Sequence, residues 1–252
     1  MKKQRRFASA ILSLLFLIQI FTFSSVAELK VYRSVETEKK QIALTFDDGP
    51  HPRLTPQILE ILARYHVPAT FFMVGVNVLN YPDAARQVIQ AGHEVGNHTF
   101  THPHLVGLNE QAIMEEIGKC EDALEELCEY RPHLLRTPQG ALTQSLEKCL
   151  LRDDYTLVLW SLDTRDWDKK STACVVQTVL DRVQAGDIIL MHDYIGYNSK
   201  TPEALEKGVI SCQQPMEKMA EKCLLLLKKQ QDLGPKWVAS EYRVKGDILR
   251  KC

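Results

Sequence analysis

Two short motifs hold the residues best suited to chemistry. The first is TFDDGP, which contains the adjacent carboxylates of Asp47 and Asp48, and the second is HTFTH, which contains His98 and His102 four positions apart. These side chains could bind one divalent cation and still leave one carboxylate free to transfer protons. An open metal site with a base beside it is typical of metal-assisted hydrolysis.

Each motif also has an ordinary structural interpretation when it is taken alone. An Asp-Asp-Gly-Pro run is common in turns, and two nearby histidines are often plain surface or core residues. Pro103 disfavours a helical conformation at His102, so we place the histidines at a strand end and in the turn that follows it. His104 is an alternative third ligand that ranks below Asp48, because Asp48 supplies an oxygen donor from another strand.

Three further polar sets could serve the same site. Arg136 begins the run RTPQG and is a permanent cation that could hold a carboxylate ionised through a bidentate pair. Asp163 and Asp166 lie beside Trp167 in the run DTRDW, and His192 ends the apolar run IILMH. A histidine near an aspartate can stay protonated at neutral pH and act as a general acid. Taken alone, Arg136 also fits an arginine before a proline turn, and His192 fits a buried structural histidine.

The chain alternates between strand-like and helix-like runs. Strands are predicted at residues 41–46, 69–74, 94–95, 134–135, 155–162 and 187–191, with a last strand at 237–238. One helix is predicted to begin at Pro56, capped by Thr55, with Ile58, Leu59, Ile61 and Leu62 on its apolar face. Further helices are predicted at residues 82–91, 109–128, 143–151 and 171–184 and within 215–231, with a long loop at 193–214. This alternation predicts an α/β fold with a parallel sheet, either open or barrel-like.

The five polar sets all fall just after predicted strands. In parallel α/β folds the working residues lie beyond the carboxyl ends of the strands, at a common rim. Chance placement would put some of the sets at the opposite end. We therefore expect the five sets to converge on one site.

Taken in order, the five motifs resemble those of the polysaccharide deacetylases with NodB homology, carbohydrate esterase family 4. The motifs span roughly residues 41–192, and the first two are jointly the most specific. The resemblance implies a distorted (β/α) barrel and one divalent metal ion, Zn²⁺ first, with Co²⁺ and Ni²⁺ as alternatives. It implies Asp48, His98 and His102 as metal ligands, Asp47 as catalytic base and His192 as catalytic acid.

The same resemblance assigns supporting roles to other residues. It implies that Arg136 orients the base, that Asp166 tunes the acid, and that Trp167 and Leu190 wall a pocket for the acetyl group. The main-chain amide of Gln139 would be the oxyanion donor. The family often has an aromatic residue, usually Tyr, where Gln139 stands, so sugar stacking at this position would need another residue, such as Tyr194 or Tyr197.

The function implied is that of an exported metal-dependent N-deacetylase acting on N-acetylglucosamine units of a glycan, with peptidoglycan as the first expectation. The alternatives are a chitooligosaccharide deacetylase, an O-acetyl esterase of the xylan type, and a glycan-binding protein without catalysis. The last would be expected to have lost a ligand, the base or the acid, and none of them is missing here.

Composition agrees with a globular protein that carries an export signal. The chain has 252 residues, of which 45% are hydrophobic and 25% are charged. Residues 1–27 combine a basic start, an apolar run and the small-residue end SVA, which predicts a signal peptide. An uncleaved membrane anchor is the alternative, because the apolar run is near the lower limit of about 17 residues for a span. Residues 28–252 are expected to form a single catalytic domain.

Charge and cysteine content argue against a nucleic-acid-binding protein and against a thiolate zinc site. Without the four basic residues of the signal, 27 Lys and Arg stand against 32 Asp and Glu, a net charge of −5, which argues against nucleic acid as a partner. The seven cysteines include no Cys-x-x-Cys pair, which argues against a thiolate zinc site. Cys120 and Cys128 would lie about 12 Å apart along one helix, too far for a disulfide. Helical spacing places Cys120 on the buried face.

Overall fold

The computed structural model describes residues 29–39, 41–151, 155–168, 170–194 and 199–216. The predicted signal peptide, Tyr197, most of the helix predicted within 215–231 and the strand predicted at 237–238 lie outside these residues. Within them, no helix combines the length and the apolar character needed to cross a bilayer.

Eight parallel strands form one curled sheet, which confirms the predicted α/β distorted barrel. Its strands are β1 (Val31–Tyr32), β2 (Ala43–Asp47), β3 (Thr70–Met73), β4 (Glu94–Asn97), β5 (Leu134–Leu135), β6 (Thr156–Val158), β7 (Leu162–Asp163) and β8 (Ile188–His192). Their order in the sheet is β1-β6-β5-β4-β3-β2-β8-β7, and every pairing is parallel. Parallel order places all strand carboxyl ends on one rim.

Seven α-helices connect these strands in the described residues. They are α1 (Leu54–Arg64), α2 (Gly75–Asn80), α3 (Pro82–Gln90), α4 (Glu110–Cys128), α5 (Gln144–Leu150), α6 (Thr172–Arg182) and α7 (Thr201–Met216). Asn109, Thr143 and Ser171 cap α4, α5 and α6, because each side chain accepts a hydrogen bond from a main-chain amide of the first turn. Cys120 is buried on α4, as its spacing predicts.

The single strand predicted at 155–162 is wrong, because the run forms β6 and β7 with an irregular link between them. The Leu159 amide donates to the Tyr32 carbonyl of β1, and the Ser161 amide donates to the Ile188 carbonyl of β8. The link therefore contacts strands near both sides of the sheet, which one straight strand could not do. The continuous apolar run reflects burial here rather than regular pairing.

Two other local predictions are corrected by the structure. The loop predicted at 193–214 contains α7, in which Pro202 occupies the first turn, where its missing amide costs no helical hydrogen bond. Thr55 lies inside α1 and does not cap it. Instead His51 Nδ1 accepts from the amides of Arg53 and Leu54, each at 3.1 Å. The hydroxyl of Thr55 is thereby left for contacts near the site.

Candidate metal centre and active site

The predicted site residues lie at one rim of the barrel. Asp47 ends β2 and His192 ends β8, and the two are direct partners in the register of these neighbouring strands. Partnered residues of adjacent strands place their side chains on the same face of the sheet. His98 and Arg136 directly follow β4 and β5. The structure thus brings the expected base and the expected acid to the same side of one rim.

Three side chains of this rim form a compact cluster that could hold one cation. Asp48 Oδ1 lies 3.4 Å from His98 Nε2 and 3.3 Å from His102 Nε2. One donor atom from each residue lies within 4.8 Å of the other two. His98 is buried, whereas the side chains of Asp48 and His102 are 30% and 34% exposed. Three ligands with an open side are typical of a catalytic metal site rather than a structural one.

The electrostatics of the cluster favour a cation. Burial lowers the pKa of His98, but Asp47 and Asp48 raise it by a larger amount. Burial raises the pKa of Asp48, but the neighbouring His98, His192 and His102 together lower it by a larger amount. The Oδ1 atom of Asp48 is buried and makes no hydrogen bond within the described part of the chain. A bound divalent ion would satisfy this oxygen and would replace the imidazole proton as the compensating charge.

Asp48 reaches the cluster through a left-handed backbone conformation. Its φ is 74°, which costs a residue with a side chain about 1–3 kcal/mol. The side-chain amide of Asn77 donates to the Asp48 carbonyl at 2.7 Å, and the Val74 amide donates to the Gly49 carbonyl at 2.8 Å. In a regular strand Asp47 and Asp48 would face opposite sides. The turn brings both of them to the same histidine.

The second motif is a turn supported by neighbouring side chains. Thr99 and His102 also have positive φ values, 66° and 57°. Asn97 Oδ1 accepts from the Thr99 amide at 2.8 Å. The carboxylate of Glu116 on α4 accepts from the amide and the hydroxyl of Thr101, at 2.8 and 2.9 Å. These acceptors hold the ligand-bearing turn in place, and no local sequence pattern marks Glu116 for this role.

Arg136 connects the second motif to the expected base. Its carbonyl lies 2.7 Å from His98 Nδ1, so this nitrogen carries the ring proton and Nε2 faces the cluster. Its buried guanidinium donates to Asp47 Oδ1 and to Thr45 Oγ1, both at 2.7 Å. It also donates to two main-chain carbonyls at the end of β6, each at 3.0 Å. The guanidinium thus contacts the base through a single hydrogen bond instead of the expected bidentate pair.

His192 is held by Asp166. Asp166 Oδ1 lies 2.8 Å from His192 Nδ1, and Asp166 Oδ2 accepts from the His192 amide at 2.9 Å. Thr201, at the start of α7, donates its hydroxyl to the same Oδ2 at 2.7 Å. Burial lowers the pKa of His192, but Asp166, Asp47 and Asp48 together raise it to about 9. The imidazole is therefore protonated at neutral pH, the form that a general acid needs.

The other predicted residues are less tightly grouped. Leu190 lies on β8 two positions before His192 and therefore on the same face. Trp167 is 45% exposed directly after Asp166. Asp163 accepts from the Arg165 amide at 2.7 Å and so supports the local turn.

Gln139 lies in a tight turn that also presents its side chain to His104. It has a left-handed φ of 58°, and its side chain lies 3.2 Å from the His104 ring. His104 is exposed and lies outside the three-residue cluster. The ranking of His104 below Asp48 as third ligand therefore agrees with the geometry.

Comparison with known proteins identifies the family. Residues 34–158 match the family model for polysaccharide deacetylase. A peptidoglycan-N-acetylglucosamine deacetylase of Bacillus cereus is 36% identical over 186 residues, which are 73% of this chain and 68% of that protein. The chain belongs to the polysaccharide deacetylase family. This family hydrolyses N-acetyl amide bonds, so the deacetylase is a hydrolase.

Two further comparisons agree with this family. A chitooligosaccharide deacetylase of Bradyrhizobium sp. is 37% identical over 155 residues, 61% of this chain and 71% of that protein. A crystal structure of a peptidoglycan N-acetylglucosamine deacetylase in complex with 4-naphthalen-1-yl-N-oxidanyl-benzamide superposes with a TM-score of 0.71 at 34% identity. The match covers 76% of this chain and 90% of that one. The fold predicted from the motifs is thereby confirmed.

Proposed function

We propose that this chain is an exported deacetylase that uses one divalent metal ion to remove acetyl groups from N-acetylglucosamine units of peptidoglycan. The main observation in support of this proposal is that five side chains lie together at one rim of the barrel: Asp47, Asp48, His98, His102 and His192. These residues would supply a base, three metal ligands and an acid at neighbouring positions of that rim. The peptidoglycan assignment is supported by the relatives named above.

The cluster suits a borderline divalent ion. One carboxylate and two imidazoles match the donor types that Zn²⁺ prefers, and the buried Oδ1 of Asp48, which faces both imidazoles, makes no hydrogen bond in the described residues. Co²⁺ and Ni²⁺ accept the same donors and are the alternatives. Asp48, His98 and His102 would hold the ion, which would act as a Lewis acid at the acetyl carbonyl and lower the pKa of a water molecule.

The residues around the cluster can then perform the proton transfers. Asp47 accepts a proton from water as the water oxygen forms a bond to the acetyl carbon. Arg136 holds Asp47 in position through the 2.7 Å contact to Oδ1, which leaves Oδ2 toward His98. The main-chain amide of Gln139 would donate a hydrogen bond to the carbonyl oxygen as negative charge develops there.

His192 completes the reaction as the proton donor. The carbon–nitrogen bond breaks as the protonated imidazole gives its proton to the departing nitrogen. The products are acetate and a free amino sugar. Because an amine leaves poorly without a proton, the amide reaction depends on a protonated imidazole more than hydrolysis of an O-acetyl ester does, since the alkoxide is a better leaving group.

A chitooligosaccharide is the second candidate substrate. The relative from Bradyrhizobium supports this alternative, and it requires the same chemistry on a soluble oligomer. The two substrates differ in length and in the peptide and lactyl groups of peptidoglycan. Comparing kcat/KM on N-acetylglucosamine oligomers and on purified cell-wall fragments decides between them.

The experiment is acetate release by the purified full chain, with added Zn²⁺ or Co²⁺, from both substrates and from O-acetylated xylan. We expect turnover of the N-acetylated glycans that is lost in Asp48→Ala and in Asp47→Asn. Ordinary turnover in Asp48→Ala would refute the proposed ligand set. Faster release from xylan, unaffected by His192→Ala, would favour the esterase.

Export is proposed from residues 1–27. A signal peptidase would cut after Ala27 and place the deacetylase in the cell envelope or outside the cell, where peptidoglycan lies. Intact-mass measurement of the protein recovered from an expressing bacterium tests this. A chain that begins at Glu28 supports cleavage, and a full-length chain in the membrane fraction supports the anchor.

A further inference from the structure

Asp193 is a buried carboxylate that the proposed reaction does not use. It follows His192 and is 1% exposed. Its amide donates to the Asp47 carbonyl at 3.1 Å, which continues the pairing of β8 with β2 by one residue. Its side chain is directed toward the turn of the first motif. The sequence motifs stop at His192, so nothing in them indicates a role for this residue.

The Asp193 carboxylate accepts a short hydrogen bond from α1. Thr55 Oγ1 donates to Asp193 Oδ2 at 2.6 Å, and the same hydroxyl accepts from the His51 amide at 2.8 Å. Thr55 is completely buried. These hydrogen bonds connect the end of β8 to His51, which follows Asp48 in the first motif's turn. The second oxygen, Oδ1, makes no hydrogen bond within the described residues.

The carboxylate also packs directly against Gly49. A Cβ atom built on Gly49 would lie 2.1 Å from Asp193 Oδ2 and 2.3 Å from Oδ1. Glycine is therefore required at this position for the carboxylate to fit. Gly49 is the neighbour of Asp48, and Asp48 holds a left-handed φ of 74° that only its surroundings can maintain.

The backbone around Asp48 is thus held at two points. Asn77 binds its carbonyl, as described above, and Asp193 with Thr55 fixes the residues that follow. We infer that Asp193 is a positioning residue for the metal site, which holds the Gly49–His51 turn so that the Asp48 carboxylate faces the two histidines. The inference rests on the proposed function, since it takes Asp48, His98 and His102 as the ligands.

The test measures metal affinity separately from turnover. Zn²⁺ affinity is measured by competition with a chromophoric chelator, and the absorption spectrum of the Co²⁺-loaded full chain reports the ligand geometry. Asp193→Ala should weaken Zn²⁺ binding by about 10- to 100-fold, the usual cost of removing a residue that orients a ligand. Asp193→Asn keeps an oxygen that can accept from Thr55. We expect Asp193→Asn to bind Zn²⁺ within about threefold of the unmodified chain.

Asp187 provides a matched control at the other end of the same strand. It precedes β8, and its carboxylate accepts from Ser161 Oγ at 2.7 Å and from the Gln184 amide at 2.6 Å. Asp187→Ala should lower thermal stability without changing the affinity for Zn²⁺. If both alanine variants weakened binding equally, general loosening of β8 would explain the result and the inference would be wrong.

Thr55→Val is the second variant, for the case in which Asp193→Ala does not fold. It removes the donor at nearly constant volume and should also weaken Zn²⁺ binding, by about tenfold. A folded Asp193→Ala or Thr55→Val protein with unchanged affinity would overturn the positioning role. Asp48→Ala distinguishes a failure of the positioning role of Asp193 from a failure of the proposed metal site. If Asp48→Ala also binds Zn²⁺ normally, the proposed metal site itself has failed.

Discussion

Replacing Arg136 with methionine would leave the carboxylate of Asp47 buried without its cation. The guanidinium has no exposed surface, and Asp47 is 3% exposed. The two are joined at 2.7 Å, and the same guanidinium serves one hydroxyl and two main-chain carbonyls. It also lies 4.1 Å from the centre of the Phe72 ring. Methionine fills similar space but provides none of these donors.

The expected loss of stability follows from the burial of the Arg136–Asp47 ion pair rather than from the short distance between the two side chains. Removing one partner of a buried ion pair costs about 3–5 kcal/mol, because the remaining charge keeps its desolvation penalty. For a domain of this size about 1 kcal/mol lowers Tm by roughly 2–4 °C, so we expect Arg136→Met to lower it by about 6–20 °C. The two main-chain carbonyls that lose the guanidinium as their donor increase the loss of stability further.

The measurement is the free energy of unfolding from urea titration, for Arg136→Met, Asp47→Asn and the double variant. The double variant should be less damaged than the sum of the two single variants, because no unpaired charge remains. Arg131→Met is the control. Its guanidinium lies 2.8 Å from Glu121, but its side chain is 67% exposed, so its loss should cost about 1 kcal/mol or less.

Two results would refute this reasoning about Arg136. One is a cost for Arg136→Met that matches the Arg131→Met control, which would mean that burial does not amplify the ion pair. The other is strict additivity in the double variant, which would mean that Arg136 and Asp47 do not interact in the folded protein. Either result would also remove the physical basis for Arg136 as the residue that orients the base.

Asp166→Asn should lower the pKa of His192 from about 9 toward its ordinary value of 6.5, because the negative charge that favours the protonated ring is gone. The alkaline limb of the kcat/KM profile should then move to lower pH, and an unmoved limb would exclude His192 as the acid. Gly49→Ala should destabilise the protein by about 1–3 kcal/mol through its clash with a buried carboxylate, whereas Gly118→Ala, with open space around its Cβ, should not; urea titration compares them. Chelation should abolish acetate release and lower Tm, with both restored by Zn²⁺ in proportion to RT ln(1 + [Zn²⁺]/Kd). A Tm insensitive to chelation and Zn²⁺ would argue against a resident ion.

Sequence patterns predicted most of the elements and the convergence of the site. Residues such as Asp47 and His192 could be placed because each ends an apolar run, and parallel strands share one rim whatever the details of their pairing. The start of α1 was not predictable in this way, since Thr55 lies inside the helix and does not cap it. The ligand set was available from motif spacing together with the family resemblance.

Contacts between distant segments could not be predicted in this way. Asp193 meets Thr55 across 138 positions, and Arg136 meets Asp47 across 89, so no local pattern reports either pair. The division of 155–162 into two strands depends on which neighbours the chain meets, and a buried apolar run looks the same in both cases. Local sequence thus determined which side chains were available and at which end of the sheet they would lie. Only the packed barrel decided which of them touch, because burial and long-range hydrogen bonds exist only once the chain has folded.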